Sequence, residues 1–160
     1  MSLLMRDVSI QDSMELLEWR NELSVRKFSH DPGLIKRETH DIWLKHRLLN
    51  LPHQPFWVFT KNFEKIGFIR FDLGQLKNEH KVSILLNPLF RGEGYGTLIL
   101  TQSIEICLAR IPYPSFCANI HKDNTASRKL FLKCGFFESE TEGNFIRCKR
   151  ITDSIVHSTN

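Results

Sequence analysis

The sequence lacks the patterns that are typical of membrane, zinc-binding and disulfide-bonded proteins. Its 160 residues contain no apolar run that approaches the roughly 20 residues of a membrane-spanning helix. The 4 cysteines lie far apart, with no C-x-x-C pair and no histidine cluster beside them, so we expect no structural zinc or other metal. Each cysteine has apolar neighbours. We therefore expect buried, reduced thiols at Cys107, Cys117, Cys134 and Cys148.

A strong charge of one sign is also missing. The formal net charge is +4 and the pI is about 9.0. Lysine and arginine form no dense stripe, so we expect no nucleic-acid partner. A mildly basic surface suits a small anionic ligand instead. Acidic residues near the start, such as Asp7 and Asp12, argue against a secretory leader. Together with reduced thiols, they predict a cytoplasmic protein without a membrane partner.

Periodicity and turn residues predict one α/β domain over residues 1–151 and a loose tail over residues 152–160. The predicted helices run from Asp12 to Phe28, Arg37 to Leu49, Tyr95 to Arg110 and Asn124 to Gly135. The predicted strands run from Leu3 to Ile10, Phe56 to Thr60, Lys65 to Leu73, Lys81 to Leu86, Ser115 to His121, Phe136 to Thr141 and Asn144 to Ile151. The order is β-α-α-β-β-β-α-β-α-β-β. Candidate core residues in the first two helices are Met14, Leu16, Leu17, Leu23, Ile42, Trp43 and Leu48.

Glycine is scarce, and its distribution is uneven. Of the 8 glycines, three fall in the stretch R-G-E-G-Y-G, Arg91 to Gly96, directly before the longest predicted helix. A dinucleotide fingerprint needs G-x-G-x-x-G after a first strand and a Walker loop needs G-K-S/T, so neither motif matches. A glycine turn at a helix start still offers free amides and the positive helix end to a pyrophosphate. The alternative is a tight strand-to-helix connection that binds nothing.

Two segments carry a resemblance to a known family. R-G-E-G-Y-G resembles the acyl-CoA motif of the GNAT acetyltransferases, Arg/Gln-x-x-Gly-x-Gly/Ala, at Arg91, Gly94 and Gly96. N-T-A-S-R-K-L-F-L-K-C-G-F, from Asn124 to Phe136, is similar to a late segment of the same family. The resemblance spans about residues 3–151. It implies the GNAT fold: a mixed, mostly antiparallel central sheet with helices on both faces and with strands 4 and 5 splayed apart.

The resemblance also implies acetyl-CoA as co-substrate and a place for each part of it. The pyrophosphate would lie over the amides of Arg91, Gly92, Glu93, Gly94, Tyr95, Gly96 and Thr97. The pantetheine arm would run between strands 4 and 5, pairing with backbone near Leu85 and Leu86, while Asn124 holds its other side. Ser127, Phe131 and Lys133 would border the thiol end or the nucleotide. Asn124 could equally be a plain helix cap, and both roles are compatible.

A third segment bears on the acceptor. Leu17 to Ser29 with His40 to Leu44 resembles the subgroup that N-acetylates nucleotide-linked amino sugars on the way to pseudaminic and legionaminic acids. Acetyltransferases of ribosomal-protein N-termini share its W-R-N-like part. A UDP-amino sugar brings a diphosphate that basic side chains can bind, and a ring that Trp19 or Trp43 could stack on. The basic candidates are Arg20, Arg26, Lys27, Lys36 and Arg37. Many members of the family dimerise, so a homodimer is possible.

Catalysis by direct transfer needs a neutral amine, a donor for the oxyanion and a proton for the departing thiolate. A backbone amide near Leu86 would serve the oxyanion. The family's usual tyrosine acid is replaced by Phe131, and its usual strand-4 glutamate by Lys81. The base candidate is therefore His121, with Asn119 on the same side to orient a water. Weaker base candidates are His80 and Ser83, and Cys134 is a weaker candidate for the acid. The alternative is a catalytically silent acyl-CoA-binding module.

Overall fold

The computed structural model describes residues 2–112 and 114–152, and this part of the chain forms a seven-stranded sheet. The strands are β1 (Leu4–Asp7), β2 (Phe56–Lys61), β3 (Glu64–Leu73), β4 (Glu79–Leu86), β5 (Ser115–His121), β6 (Phe137–Glu142) and β7 (Phe145–Arg150). The helices are α1 (Ser13–Asn21), α2 (Leu23–Arg26), α3 (Arg37–Leu48), α4 (Tyr95–Arg110) and α5 (Thr125–Lys133). The predicted element order is confirmed, except that the first predicted helix is divided into α1 and α2.

The sheet is antiparallel except at its centre. Its order is β1-β2-β3-β4-β5-β7-β6, and β4 and β5 are parallel neighbours joined by α4. Their pairing is limited to Glu79–Lys81 against Ser115–Cys117, beyond which the two strands separate. We call the opening between residues 82–86 and 118–121 the strand gap. The predicted fold is confirmed, including the splayed strands.

Helices cover both faces of the sheet and bury different side chains there. On one face, α4 and α5 contribute Ile99, Ile104 and Phe131 to a core that includes Ile69. On the other face, α1 and α3 contribute a second core, whose main members are Leu16, Trp19, Leu44, Phe56, Val58 and Phe68. Successive strand residues point to opposite faces, which keeps Phe68 and Ile69 in separate cores. The molecule therefore has three layers.

The first predicted helix is interrupted, contrary to the sequence pattern. α1 ends at Asn21, Glu22 is extended with φ −60° and ψ 138°, and α2 is a single turn. The Asn21 side-chain amide donates to the Ile35 carbonyl and accepts from the Ile35 N–H, each at 2.9 Å. A side chain that bonds distant backbone in this way stabilises a bend instead of another helical turn.

Three predicted core positions are wrong: Met14, Leu23 and Ile42 are 65%, 71% and 70% exposed. In α1 the buried pair is Leu16 and Trp19, a spacing that turns Met14 outward. The bend at residue 22 takes Leu23 out of the α1 register. In α3 the buried residues are His40, Leu44 and Arg47, so Ile42 falls on the opposite side of the helix.

Asp12 anchors the start of α1. Its buried carboxylate accepts from Arg6 at 2.8 Å, from the Ser9 N–H at 2.9 Å and from Lys65 Nζ at 3.0 Å. Burial alone would raise the pKa of this carboxyl, but the bonds from Arg6, Ser9 and Lys65 together hold the pKa well below its ordinary value. The helix start is thus joined to β1 and β3 through one charge cluster.

All four cysteines are buried and unpaired, as the sequence predicts. Burial raises the pKa of Cys107 to about 12 and that of Cys117 to about 11, so neither thiol is reactive at neutral pH.

In the described residues no helix is long and apolar enough to cross a membrane, and no three metal-ligating side chains cluster. Of the predicted loose tail, residues 153–160 lie outside the described residues. The hydroxyl of Thr152 donates to the Pro114 carbonyl.

Candidate active site

β4 ends in a turn that directs the chain toward α4. The Asn87 side chain makes this turn, accepting from the Leu89 N–H at 3.0 Å and donating to the Lys65 carbonyl at 2.9 Å. Pro88 then opens a short 3-10 turn (Pro88–Phe90). The Asn87-Pro88 pair therefore positions the residues that follow. We call residues 91–97 the donor loop.

Two glycines of the donor loop are required by backbone conformation. Gly92 and Gly94 have φ of +81° and +85°, values that side chains other than glycine rarely adopt. A Cβ at either residue would meet nothing within 4 Å. The space above both glycines is therefore open and can receive a ligand.

Gly96 is required for a different reason, which is close packing. A Cβ there would lie 3.2 Å from both Leu130 of α5 and Leu86 of β4. Its absence lets the first turn of α4 approach the end of β4. The start of the helix is thereby placed against the strand gap.

The backbone N–H groups of residues 92–97 in the donor loop have no partner in the described part of the chain. Within the described residues, no backbone or side-chain group accepts a hydrogen bond from the N–H groups of residues 92–97. They open a helix of 16 residues, whose positive end adds to their attraction for an anion. Successive free amides around open space have the geometry that suits a pyrophosphate.

The side chains of the donor loop face other groups. The Arg91 guanidinium donates to Ser24 Oγ at 3.0 Å, and to Glu22 and the Leu86 carbonyl at 3.3 Å each. The positive charge of Arg91 is thus paired with the bend between α1 and α2. The buried Tyr95 hydroxyl accepts from Lys61 Nζ at 2.7 Å, so Tyr95 offers only its amide to a ligand. Glu93 is exposed and Thr97 is half-buried.

The late segment borders the gap mainly through α5. Asn124 caps this helix, because its Oδ1 accepts from the Ser127 N–H at 3.2 Å. Nothing in the described ranges accepts a hydrogen bond from its Nδ2, which can still reach a ligand. Phe131 is only 3% exposed, with its ring centroid 4.9 Å from that of Phe136, and Lys133 is exposed in the last turn.

The backbone of β4 can face a ligand in the strand gap. The Asn87 N–H donates to the Ile66 carbonyl of β3 at 2.9 Å. Successive backbone amides of a strand point to alternate sides, so the N–H of Leu86 points away from β3 and into the gap. This amide is the predicted oxyanion donor. The Leu85 side chain projects from the face of the sheet that α1 and α3 cover. It lines a pocket there together with residues of these two helices.

The predicted catalytic side chains lie on one face of the sheet but do not touch. Ser83 is opposite Arg70 in the β3–β4 ladder and lines a pocket beneath α1 and α3. Asn119 and His121 share a face of β5 by alternation, and Asn119 is exposed. The His121 ring lies between Phe28 and Phe145, with centroid distances of 5.5 and 5.3 Å.

The hydrogen bonding of His121 limits what it can do. Its Nδ1 accepts from the Asp123 N–H at 3.2 Å, so the neutral ring carries its proton on Nε2. In this arrangement Nε2 can only donate a hydrogen bond and cannot accept a proton. The predicted role as base requires the other tautomer, and with it the loss of the Asp123 bond.

The weaker candidates His80 and Cys134 lie away from the pocket that Ser83 lines. His80 is buried at the paired end of β4, and this burial lowers its pKa. Cys134 is buried between α4 and α5, with Sγ 3.7 Å from Thr101 Oγ1. Lys81 pairs with Cys117 where the two strands are still together.

Comparison with known proteins identifies the family. A sequence profile for the acetyltransferase (GNAT) domain matches residues 2–137, which is most of the chain. The chain belongs to the GNAT acetyltransferase family. It is accordingly an acetyl-CoA-dependent N-acetyltransferase, and the donor loop and strand gap fit the coenzyme that this activity uses. No curated protein matches the sequence at a significant level.

Solved structures share the fold at low identity. A domain from Methanocaldococcus jannaschii aligns with a TM-score of 0.80 at 21% identity over 94% of this chain and 99% of its own. YncA from Salmonella typhimurium, solved with acetyl-CoA, aligns with a TM-score of 0.78 at 17% identity over 100% and 98%. A ribosomal-protein-alanine N-acetyltransferase from Brucella melitensis aligns with a TM-score of 0.75 at 20% identity over 93% and 99%.

In this acetyltransferase, the predicted basic and aromatic acceptor residues separate into two groups. Arg20 and Trp43 line the pocket that also contains Ser83. Trp19 is buried in the core beside Phe68. The remaining basic candidates lie outside the lining of this pocket: Arg26 bonds the Asn21 and Pro32 carbonyls, Arg37 pairs with Asp41, Lys27 lies over Phe28, and Lys36 is exposed.

Sequence reasoning missed one arginine in the lining of this pocket. Arg70 lies in β3, and its guanidinium carbon is 5.1 Å from the centre of the Trp43 ring. The signal was present, because I-R-F-D places polar residues 70 and 72 in an otherwise apolar strand. Alternation alone assigns such residues to a wet face, whereas helices cover this face.

Proposed function

We propose that this acetyltransferase N-acetylates the primary amine of a nucleotide-linked amino sugar. The donor half is supported by one observation above all: the free amides of residues 92–97 lie beside a strand gap that exposes the Leu86 N–H. The acceptor would enter from the opposite side, under α1 and α3. We also propose that residues 1–151 act as a single catalytic unit.

The reaction is a direct transfer. The neutral amine attacks the carbonyl carbon of the thioester, a C–N bond forms, the C–S bond breaks, and the thiolate leaves with the electron pair. The Leu86 N–H would stabilise the oxyanion during the attack. The amine loses a proton and the thiolate gains one, through water that Asn119, Ser83 and the Nε2–H of His121 could orient. A thiol ionises near 8.5, so its departure needs little help from an acid.

The nucleotide sugar is favoured by the residues that line the acceptor side. Segments 17–29 and 40–44, which resemble the amino-sugar enzymes, contribute Arg20 and Trp43 to one pocket. A guanidinium and an indole suit a phosphate and a ring. A peptide N-terminus is the second candidate, favoured by the W-R-N segment and by the Brucella protein, whose name states that activity.

The test uses the purified full chain with acetyl-CoA and three acceptors: a UDP-amino sugar, a peptide with a free N-terminal alanine, and buffer alone. Release of free coenzyme thiol with the UDP-amino sugar, and an acetylated sugar in the mass spectrum, is the expected result. Turnover of the peptide alone would replace the sugar with the second candidate. Acetyl-CoA binding in calorimetry without turnover of any amine would leave a silent binding module.

A cytoplasmic location and a homodimer remain predictions from the sequence. Fractionation of the source cells and sedimentation of the purified protein are the corresponding measurements. A monomer at micromolar concentration would remove the homodimer from the proposal without affecting the rest.

A further inference from the structure

One pocket outside the donor loop collects positive charge around an aromatic ring. Its volume is about 170 Å³, and it lies under α1, α2 and α3 beside the β4 residues that border the strand gap. Its polar lining consists of Arg20, Trp43, Arg70 and Ser83, and the remaining lining is apolar. We call it the acceptor pocket.

Both arginines lie against the same indole ring. The guanidinium carbon of Arg20 is 5.0 Å from the centre of the Trp43 ring and that of Arg70 is 5.1 Å from it. These distances are within the range of cation–π attraction. Two like charges therefore lie near one indole ring, and their mutual repulsion opposes this arrangement.

The positive charge is not balanced by nearby carboxylates. Arg20 makes no ion pair and donates no hydrogen bond to any residue in the described ranges. Arg70 has Asp72 at 3.3 Å, but Asp72 also pairs with Arg47 at 2.9 Å. A single carboxylate, Asp72, thus pairs with both Arg47 and Arg70, and it reaches Arg20 only through longer-range attraction.

The titration of the surrounding groups agrees with an excess of positive charge. Burial and the nearby Arg70 lower the pKa of Arg20 to about 10. Burial and Arg20 also lower the pKa of His40, so this ring adds no charge at neutral pH. The Asp41 carboxylate next to it accepts instead from Ser13 Oγ at 2.5 Å and lies 3.6 Å from Arg37.

We propose that Arg20 and Arg70 bind a single compact oxyanion, a carboxylate or a phosphoryl group, carried by the acceptor amine. This inference rests on the proposed acetyl transfer, because Ser83 and Leu85 place the acceptor pocket beside the strand gap. Planar guanidiniums bind such groups through paired hydrogen bonds. Pockets for whole ligands are usually about 300 to 1,000 Å³, so this one admits the charged group and not an entire nucleotide.

The consequence is a substrate rule. Amines with an anionic group at a suitable distance from the nitrogen are accepted, because the anion relieves the repulsion between Arg20 and Arg70. Polyamines and other cationic amines are rejected, since their second charge would meet two guanidiniums. Arg20 acts here through binding, so its loss changes KM for anionic acceptors and leaves kcat nearly unchanged.

The experiment measures anion binding directly, without turnover. Tryptophan fluorescence of the full chain is titrated with inorganic phosphate and, separately, with propionate, at constant ionic strength, and Trp43→Phe assigns the signal to the pocket. We expect saturation in the wild type and at least about tenfold weaker binding in Arg20→Gln, since a charge-assisted hydrogen bond contributes about 1.5 to 3 kcal/mol. The preferred probe identifies the group as phosphoryl or carboxylate.

Arg37→Gln is the matched control, because Arg37 is an exposed arginine of α3 outside the acceptor pocket. It should bind both probes as the wild type does. The absence of saturation with either probe, or equal binding by Arg20→Gln and Arg37→Gln, overturns the proposal. Acetyl-CoA calorimetry on the same proteins separates the two hypotheses. Failure there refutes the proposed function, whereas failure of anion binding alone refutes only the oxyanion pocket.

Discussion

The donor loop and the proposed acceptor pocket present different parts of the chain to a ligand. The donor loop spans residues 91–97 and offers backbone N–H groups, which any sequence possesses once its glycines allow the conformation. The acceptor pocket offers side chains from α1, α3, β3 and β4, which lie up to about sixty residues apart. A site made of backbone leaves a short pattern in the sequence, whereas a site made of distant side chains does not.

The same contrast extends to how each region is held. The donor loop is positioned by close packing at Gly96, where α4, α5 and β4 meet. The acceptor side is positioned by ion pairs, with Asp12 at the start of α1 and Asp72 beneath the pocket. Packing is insensitive to pH and salt, while charge clusters respond to both. The two regions should therefore fail under different conditions.

The largest expected effect comes from filling the donor loop. Gly94→Val forces a β-branched residue to a φ of +85° and places methyl groups over the free amides. We expect acetyl-CoA affinity to fall about 1000-fold, or about 4 kcal/mol, because several charge-assisted hydrogen bonds are lost. Titration calorimetry with acetyl-CoA measures this loss of affinity.

Gly143→Val is the control for Gly94→Val. Gly143 also has a positive φ, +57°, and open space above it, but lies in the turn between β6 and β7. It should lose stability and keep coenzyme affinity. Equal loss of affinity in both variants would mean that strain, and not the loop, is responsible.

The next largest effect concerns protein stability at low pH, which depends on the Asp12 charge cluster at the start of α1. The folded-state pKa of Asp12 lies below its unfolded value, so its contribution to stability is full at neutral pH and is lost as pH falls below about 4. We expect Asp12→Asn to lower the free energy of unfolding by about 2 kcal/mol at pH 7, a value reduced by the exposure of Arg6.

Urea unfolding at pH 7 and at pH 3.5 tests the Asp12 prediction. The difference between Asp12→Asn and wild type should shrink at the lower pH. Asp7→Asn, an exposed neighbour in β1, should change little at either pH. A difference that is the same at both pH values would contradict the role of the Asp12 charge.

A smaller effect is expected at His121. Because its Nδ1 accepts from Asp123, its Nε2–H can only donate, and a glutamine amide can replace that donor. We expect His121→Gln to lower kcat by no more than about tenfold and to leave the pH profile of kcat unchanged. Loss of the acidic limb with a drop of about 100-fold would restore His121 as the base.

His30→Gln serves as the control for the surroundings of His121. The His30 ring stacks on Phe145 with centroids 3.6 Å apart, in the same aromatic cluster. If both histidine variants lose activity equally, the cluster matters only for structure.

The smallest effect should come from the one cationic side chain of the donor loop. Arg91 is bonded to Glu22, Ser24 and the Leu86 carbonyl, so the amides do most of the binding. We expect Arg91→Gln to weaken acetyl-CoA binding by no more than about fivefold, equal to about 1 kcal/mol.

Arg128→Gln matches Arg91→Gln in exposure, since both arginines are partly exposed and paired with a glutamate. It should leave coenzyme binding unchanged. If Arg91→Gln loses as much coenzyme affinity as Gly94→Val, the Arg91 side chain and not the backbone amides provides most of the binding energy.

The same contrast between backbone and distant side chains explains which features can be predicted from the sequence. The element order and the glycine-rich turn before α4 are predictable because strand alternation and glycine spacing are local signals. The splayed strands are predictable only through the resemblance to the family. The bend at Glu22 was missed, because it depends on Asn21 bonding Ile35 from another segment. Arg70 was missed for the same reason: only the folded sheet brings it to Trp43.

β4 borders both the donor loop and the acceptor pocket. Its backbone groups point along the plane of the sheet, whereas its side chains project perpendicular to that plane. Its outer edge at Leu86 faces the strand gap, while Ser83 projects toward the helices on one face. A mutation changes a side chain of a strand directly, whereas it leaves the backbone N–H and C=O groups at the edge of the strand in place. A lineage could thus exchange one recipient molecule for another by single substitutions while its acetyl supply stayed constant, which suits this architecture to diversification.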